Sequence, residues 1–186
     1  MTSLRKENYG KINREKVLGF NWDNKEYFGY EGDSLASALL ANDVRIVGRS
    51  FKYHRPRGVM SCGVEESGAL VTVGSGSRRD PNVRATTQEL YSGLNASGQN
   101  AFPNVNFDFG GVNNYLSRFF AAGFYYKTFM GMPPFEWGKG TKIWMLYEKM
   151  IRKAAGMGVA SKKPDPDQYE HANDFCDVLV VGSGPS

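Results

Sequence analysis

Val17-Leu18-Gly19-Phe20-Asn21-Trp22-Asp23-Asn24-Lys25-Glu26-Tyr27-Phe28-Gly29-Tyr30 and then Gly32-Asp33-Ser34-Leu35-Ala36-Ser37-Ala38-Leu39-Leu40-Ala41-Asn42 form the stretch that decides the fold. Phe20 and Trp22 alternate with polar positions, which places both on one face of a strand. Asp23-Asn24 supplies the chemistry of a tight turn, and the aromatic-rich run from Lys25 to Tyr30 completes a β-hairpin. Gly32-Asp33-Ser34 ends the second strand and offers a side-chain oxygen to cap free backbone N–H groups. Leu35, Ala36, Leu39 and Leu40 follow at helical spacing, so the spacing predicts a short amphipathic helix from 34 to about 42. The runs 44–47 and 69–73 are β-branched or apolar and suit further strands. Hairpin, helix and further strands make the order of a small β-grasp sheet, ubiquitin-like or ferredoxin-like, with one helix across it.

Outward from this core the chain changes character twice. Residues 1–16 are polar, with charges of both signs, and read as a flexible lead-in to a domain at 17–100. Residues 101–160 form an aromatic-rich extension. Its first fifty positions hold more than half of the chain's aromatics, Phe119, Phe124, Tyr125 and Tyr126 among them, interrupted by Gly110-Gly111, Pro133-Pro134 and Gly138. Regular elements should be short there. The rings suit either a local core for a loop-rich segment or a docking surface, since aromatics cover much area at low entropy cost. Within it, 141–155 reads as a helix, with Ile143, Leu146, Tyr147, Met150 and Ala154 on one stripe. Proline-punctuated 161–173 reads as a linker.

At the end, Asp177-Val178-Leu179-Val180-Val181-Gly182-Ser183-Gly184 is an acidic residue, an apolar run and Gly-x-Gly, within a segment 174–186. That is how a dinucleotide-binding Rossmann unit opens, with a buried parallel strand and a turn whose glycines let backbone approach a pyrophosphate. Gly182 and Gly184 are the candidate NAD-binding residues of an incomplete fingerprint. The third glycine, the helix and the acidic ribose contact do not follow, so the chain reads as the front of a longer, truncated unit. The fold class expected is therefore α+β. It comprises a ferredoxin-like β-grasp domain, a loop-rich aromatic extension with a helix, and the first strand of a truncated Rossmann unit.

Composition narrows the function classes. The 186 residues are 41% hydrophobic and 23% charged, with 22 glycines, enough apolar surface to exclude disorder throughout. No apolar run approaches the ~18 residues of a membrane span, and residues 1–8 contain no secretory core, so the cytoplasm is the expected compartment. Net charge is +4. The cations gather between Arg45 and Arg57: Arg45, Arg49, Lys52, Arg55 and Arg57, interleaved with Phe51, Tyr53 and His54, and without an acid. Cations alternating with aromatics can grip phosphates and stack bases. A solvated or internally paired basic loop is the plainer reading, and nucleic acid is not an expected partner. The partner or anion candidates are Arg49, Lys52, Arg55, Arg57, Tyr125, Tyr126 and Lys127.

Plant-type ferredoxins carry cluster cysteines in the loop after the β-grasp helix. A 2Fe–2S cluster takes four thiolates, or two with two histidines. This chain has two cysteines and two histidines in all, Cys62, Cys176, His54 and His171, at separated places. The expectation is a domain that lacks the cluster, with no metal ligands and no catalytic residue, Cys62 being a small packing residue.

Several stretches together resemble one family. They are 32–42, Val47-Gly48-Arg49-Ser50-Phe51-Lys52-Tyr53-His54-Arg55-Pro56-Arg57-Gly58, Gly63-Val64-Glu65-Glu66, 122–130, 151–156 and 177–185. From about Val17 onward the chain resembles the N-terminal part of the alpha subunits of heterotetrameric sarcosine oxidases. The resemblance implies a multi-subunit flavoenzyme. Such an enzyme oxidatively demethylates sarcosine to glycine, reduces oxygen to hydrogen peroxide, and passes the one-carbon unit on as formaldehyde or methylene-tetrahydrofolate. It implies NAD on the alpha subunit, FAD and covalent FMN in the beta subunit and at the alpha–beta interface, and beta, gamma and delta subunits as partners. It also implies a first domain that resembles a 2Fe–2S ferredoxin without its ligands. Family chains are several times longer. A structural, non-catalytic domain of such a subunit is the first expectation. A 2Fe–2S electron-transfer domain of a related amine dehydrogenase and a nucleic-acid binder using Arg45 to Arg57 are the alternatives.

Overall fold

The computed structural model describes residues 4–6, 9–117, 149 and 158–181. Strands β1 (Asn13–Trp22) and β2 (Lys25–Glu31) form the hairpin, in register Trp22 to Lys25, Phe20 to Tyr27 and Leu18 to Gly29. Leu18, Phe20 and Trp22 are all buried, as period-two alternation requires. Asp23 and Asn24 both adopt positive φ, 46° and 64°, the pair that matches a two-residue turn to the twist of its strands.

Helix α1 (Leu35–Ala41) starts at Ser34, whose Oγ accepts the Ser37 N–H at 3.2 Å. Two more first-turn donors, Leu35 N and Ala36 N, reach the carbonyls of Gln88 and Ala85 at 2.8 Å, so the helix start leaves few orphan donors. Leu35, Ala36, Ala38, Leu39 and Ala41 are buried against the sheet side of the helix.

The remaining strands are β3 (Gly48–Arg49), β4 (Pro56–Arg57), β5 (Leu70–Val73), β6 (Asp80–Arg84) and β7 (Asn95–Gly98). The main sheet runs β2-β1-β7-β5-β6, with β1 and β7 parallel and the other neighbours antiparallel. β3 and β4 make a separate two-stranded ladder. One core joins helix and sheet through Phe20, Trp22, Leu39, Val47, Val71 and Leu94. Among the described residues no helix is long and apolar enough to cross a membrane.

Several expectations are corrected. Residues 44–47 are not a strand. Val47 is buried, but its N–H bonds the Arg57 carbonyl just ahead of the short β3–β4 ladder. The lead-in at 1–16 is not loose where it is described: β1 begins at Asn13, Leu4 N donates to Ala41 O, and Arg5 is paired with the buried Asp33. A carboxylate 2% exposed needs that cation. The 158–167 part of the tail is also tied down, through Gly158 to Asn82, Val159 to Arg79 and Asp167 to Arg78. Val178 to Val181 are exposed and form no strand, so the described part of the Rossmann opening is not a sheet element in this chain. The helix expected at 141–155 lies outside the described residues except for Lys149, which is helical and exposed.

Candidate functional site

The long connection between α1 and β5 meets the loop after β7. Arg49 joins them. Its Nε donates to Val105 O at 2.7 Å, its Nη1 to His54 O at 3.1 Å and its Nη2 to Asn106 O at 3.0 Å. Arg49 was a candidate for a partner or anion contact; all three guanidinium nitrogens instead hold backbone carbonyls of the chain itself. Asn100 Nδ2 donates back to the carbonyls of Arg49 and Ser50.

A second tie lies beside it. His54 has φ +53°, and its Nδ1 sits 2.6 Å from Asp108 Oδ2. The Asp108 side chain is 1% exposed and also accepts N–H bonds from Phe102 and Gly110, each at 3.0 Å. Burial pushes the Asp108 carboxyl upward, but the Phe102 N–H, His54 and the Gly110 N–H outweigh it and hold it below its ordinary value. Gly110 is flush against the imidazole; a Cβ there would overlap the ring.

The tied loop presents rings to solvent. Phe102, Phe107, Phe109 and Tyr115 are 71%, 60%, 61% and 87% exposed. Phe107 meets Phe109 edge-on at 5.2 Å between centroids, and Phe102 lies 6.2 Å from Phe109. Of the two readings of the aromatic segment, a local core fails for these rings, and an open surface describes them. A concavity of about 370 Å³ opens beside them, lined in part by Tyr53, His54, Phe107, Val112 and Tyr115.

Cations rim the patch. Arg55 Nε donates to Asn114 Oδ1 at 2.8 Å. Lys52 and Arg55 both lie over the Tyr53 ring, at 5.2 and 4.8 Å from its centroid. That ring is therefore already stacked, which leaves it poorly placed for a nucleobase. Arg57 is exposed and edges a second concavity of about 400 Å³ with Met60 and Gln99. Tyr125, Tyr126, Lys127, Gly182 and Gly184 lie outside the described residues.

Glu66 is a site residue that local sequence pattern does not single out. It is 1% exposed. Oε2 accepts the N–H groups of Met60 and Ser61, both at 2.7 Å. Oε1 accepts those of Gly68 and Ala69. Desolvation raises the carboxyl pKa, yet the four N–H groups together hold it below the ordinary value. The only sequence signal is an acid pair, Glu65-Glu66, just before Gly68 in a stretch, 44–69, otherwise free of acids.

The residues do not fit an iron–sulfur cluster. Cys62 and Cys176 are both exposed, so Cys62 is not the packing residue expected. His54 is committed to Asp108, and His171 lies in the exposed tail. Ser61 Oγ is buried without a partner, but one hydroxyl and one thiol are not a four-ligand set. Among the described residues no group of three or more His, Cys, Asp or Glu side chains could hold a metal ion.

Residues 15–101 match the family model described as a 2Fe–2S iron–sulfur cluster binding domain, and this span is the sheet-and-helix unit above. A sarcosine oxidase subunit alpha from Rhizobium meliloti (strain 1021) is 53% identical over 186 residues, 100% of this chain and 18% of the relative. A sarcosine oxidase subunit alpha from Corynebacterium sp. (strain U-96) is 30% identical over 179 residues, 95% of this chain and 13% of the relative. The chain thus spans less than a fifth of the length of these relatives. A solved L-proline dehydrogenase from P. horikoshii aligns with 50% of this chain and 17% of its own, at 25% identity and a TM-score of 0.40. Residues 15–101 are thus similar to a 2Fe–2S iron–sulfur cluster binding domain, and the chain is similar along its whole length to the Rhizobium meliloti sarcosine oxidase subunit alpha.

Proposed function

We propose that this chain forms the structural, non-catalytic N-terminal portion of a sarcosine oxidase alpha subunit, and that the exposed rings of Phe102, Phe107 and Phe109 are its contact with the beta subunit. The intact enzyme would oxidise sarcosine to glycine, reduce oxygen to hydrogen peroxide and release the one-carbon unit as formaldehyde or methylene-tetrahydrofolate. NAD, FAD and FMN would serve that chemistry elsewhere in the assembly, and these residues would hold none of them. Gamma and delta subunits would complete it.

The observation that carries this reading is that the rings are exposed while their backbone is pinned. Arg49, His54 and Asp108 fix the loop, so little entropy remains to be lost when a partner covers it. Exposed aromatics on fixed backbone match the anchors that dominate protein interfaces. The cations around them, Lys52, Arg55 and Arg57, favour a partner surface with an apolar pocket and a carboxylate rim.

The test is sedimentation of the 186-residue chain with the beta subunit of the Rhizobium meliloti enzyme. The wild-type chain is expected to co-sediment, and the F107D/F109D variant to lose at least about tenfold in affinity, the scale of one interface hot spot. A folded wild-type chain that does not bind, or a double variant that binds equally well, overturns the proposal.

A further inference from the structure

The connection from α1 to β5 lies in a domain whose family model is named for a 2Fe–2S cluster, yet its donor set does not fit one. A cluster on four thiolates is an anion, and backbone N–H groups bond its sulfurs. Something must take those N–H groups when the cluster is gone, because buried donors without partners are costly. In this loop two consecutive pairs of N–H groups, Met60 with Ser61 and Gly68 with Ala69, converge on one buried carboxylate. Consecutive N–H groups of this kind form anion-binding concavities. Room for the carboxylate comes from glycine: a Cβ on Gly68 would sit 2.9 Å from Gly58 O and 3.0 Å from Glu66 Oε1. Arg84 Nε donates to the Glu66 carbonyl at 3.3 Å, which ties the same residue to β6.

We propose that Glu66 is the internal anion around which this loop is wound, standing in for the cluster as acceptor of the loop's N–H groups. The domain then needs no iron to close the α1–β5 connection. This rests on reading the domain as a structural one, and its test does not touch the docking face.

Two measurements decide it, both on the 186-residue chain. In the first, the wild type is incubated anaerobically with ferrous iron, sulfide and thiol, then desalted. It is expected to stay colourless, with iron far below stoichiometric and an unchanged melting temperature. In the second, amide hydrogen exchange is followed in the wild type and in Glu66→Gln. The wild type is expected to protect the amides of Met60, Ser61, Gly68 and Ala69. E66Q is expected to exchange them at least about tenfold faster and to melt roughly 5–10 °C lower. Uptake of two irons per chain with visible charge-transfer bands overturns the proposal. So does unchanged exchange at the four amides in E66Q, or their lack of protection in the wild type, which decides the matter if E66Q does not fold. Any of these outcomes leaves the sedimentation result on Phe107 and Phe109 standing or falling by itself.

Discussion

Asp33 is the most heavily engaged side chain near the N-terminus. It takes two guanidinium N–H groups from Arg5, the Tyr30 N–H at 2.8 Å and the Ser37 hydroxyl at 2.8 Å, all at 2% exposure. One carboxylate thereby ties the lead-in, β2 and α1 together. Arg5→Ala strands that charge without its cation, and unfolding in urea should show a loss of about 3 kcal/mol, the scale of breaking a buried pair. Glu66 carries a pH signature instead. Its carboxyl titrates below its ordinary value of 4.5 when folded, so its contribution is complete above that value. It is lost as pH falls through the folded value, because the unfolded chain binds the proton first. The stability gap between wild type and E66Q, about 2–3 kcal/mol at pH 7 for charged hydrogen bonds, should narrow steadily below pH ~4.5. A gap that stays constant down to pH 3 contradicts that assignment.

At the scale of elements, the β1–β2 hairpin and α1 are held by local devices, whereas the platform of β3, β4 and the 101–115 loop is held by side chains reaching across some fifty positions. The 3-10 turn Phe109–Asn114 starts from Asp108, whose Oδ1 accepts the Gly110 N–H. The same carboxylate meets His54, so one residue caps the turn and fastens it to the basic loop. Gly110→Ala drives a methyl into the imidazole and should cost about 1–3 kcal/mol, the range for overpacking. The His54 ring resonances should shift while those of Trp22 stay in place. Unchanged His54 resonances would mean that the ring and the turn are not in contact.

For the molecule as a whole, the informative contact is the tail's return to the sheet. Asn82, at φ 64°, donates its N–H to Gln99 Oε1 at 2.6 Å. Its Oδ1 accepts from both Gln99 Nε2 and Gly158 N at 2.9 Å. The exit path of residue 158 is thus set by Asn82 on the edge strand β6, 76 positions earlier in sequence. Asn82→Gly keeps the left-handed backbone and removes only the side chain. It should cost about 1–2 kcal/mol and make the 158–167 segment cleave faster under limited proteolysis, with the 15–101 core intact. Equal cleavage rates in the two proteins would show that Asn82 does not hold the tail.

Phe20, Trp22, Asp23-Asn24, Ser34 and the Leu35–Leu39 spacing specify hairpin, turn, cap and helix by themselves, because each signal acts within a few residues of its effect. Strand order, with β7 slipped in parallel beside β1, was not legible, nor was the short β3–β4 ladder that replaced a strand at 44–47. The platform was hidden for the same reason. Arg49 turned inward only because the carbonyls of Val105 and Asn106 arrive beside it, and the Glu66 carboxylate found its four donors only because the loop folds back at Gly68. Local propensity and pattern thus fixed the elements. The destination of each charged side chain depended on which distant backbone groups the packed chain left needing a partner.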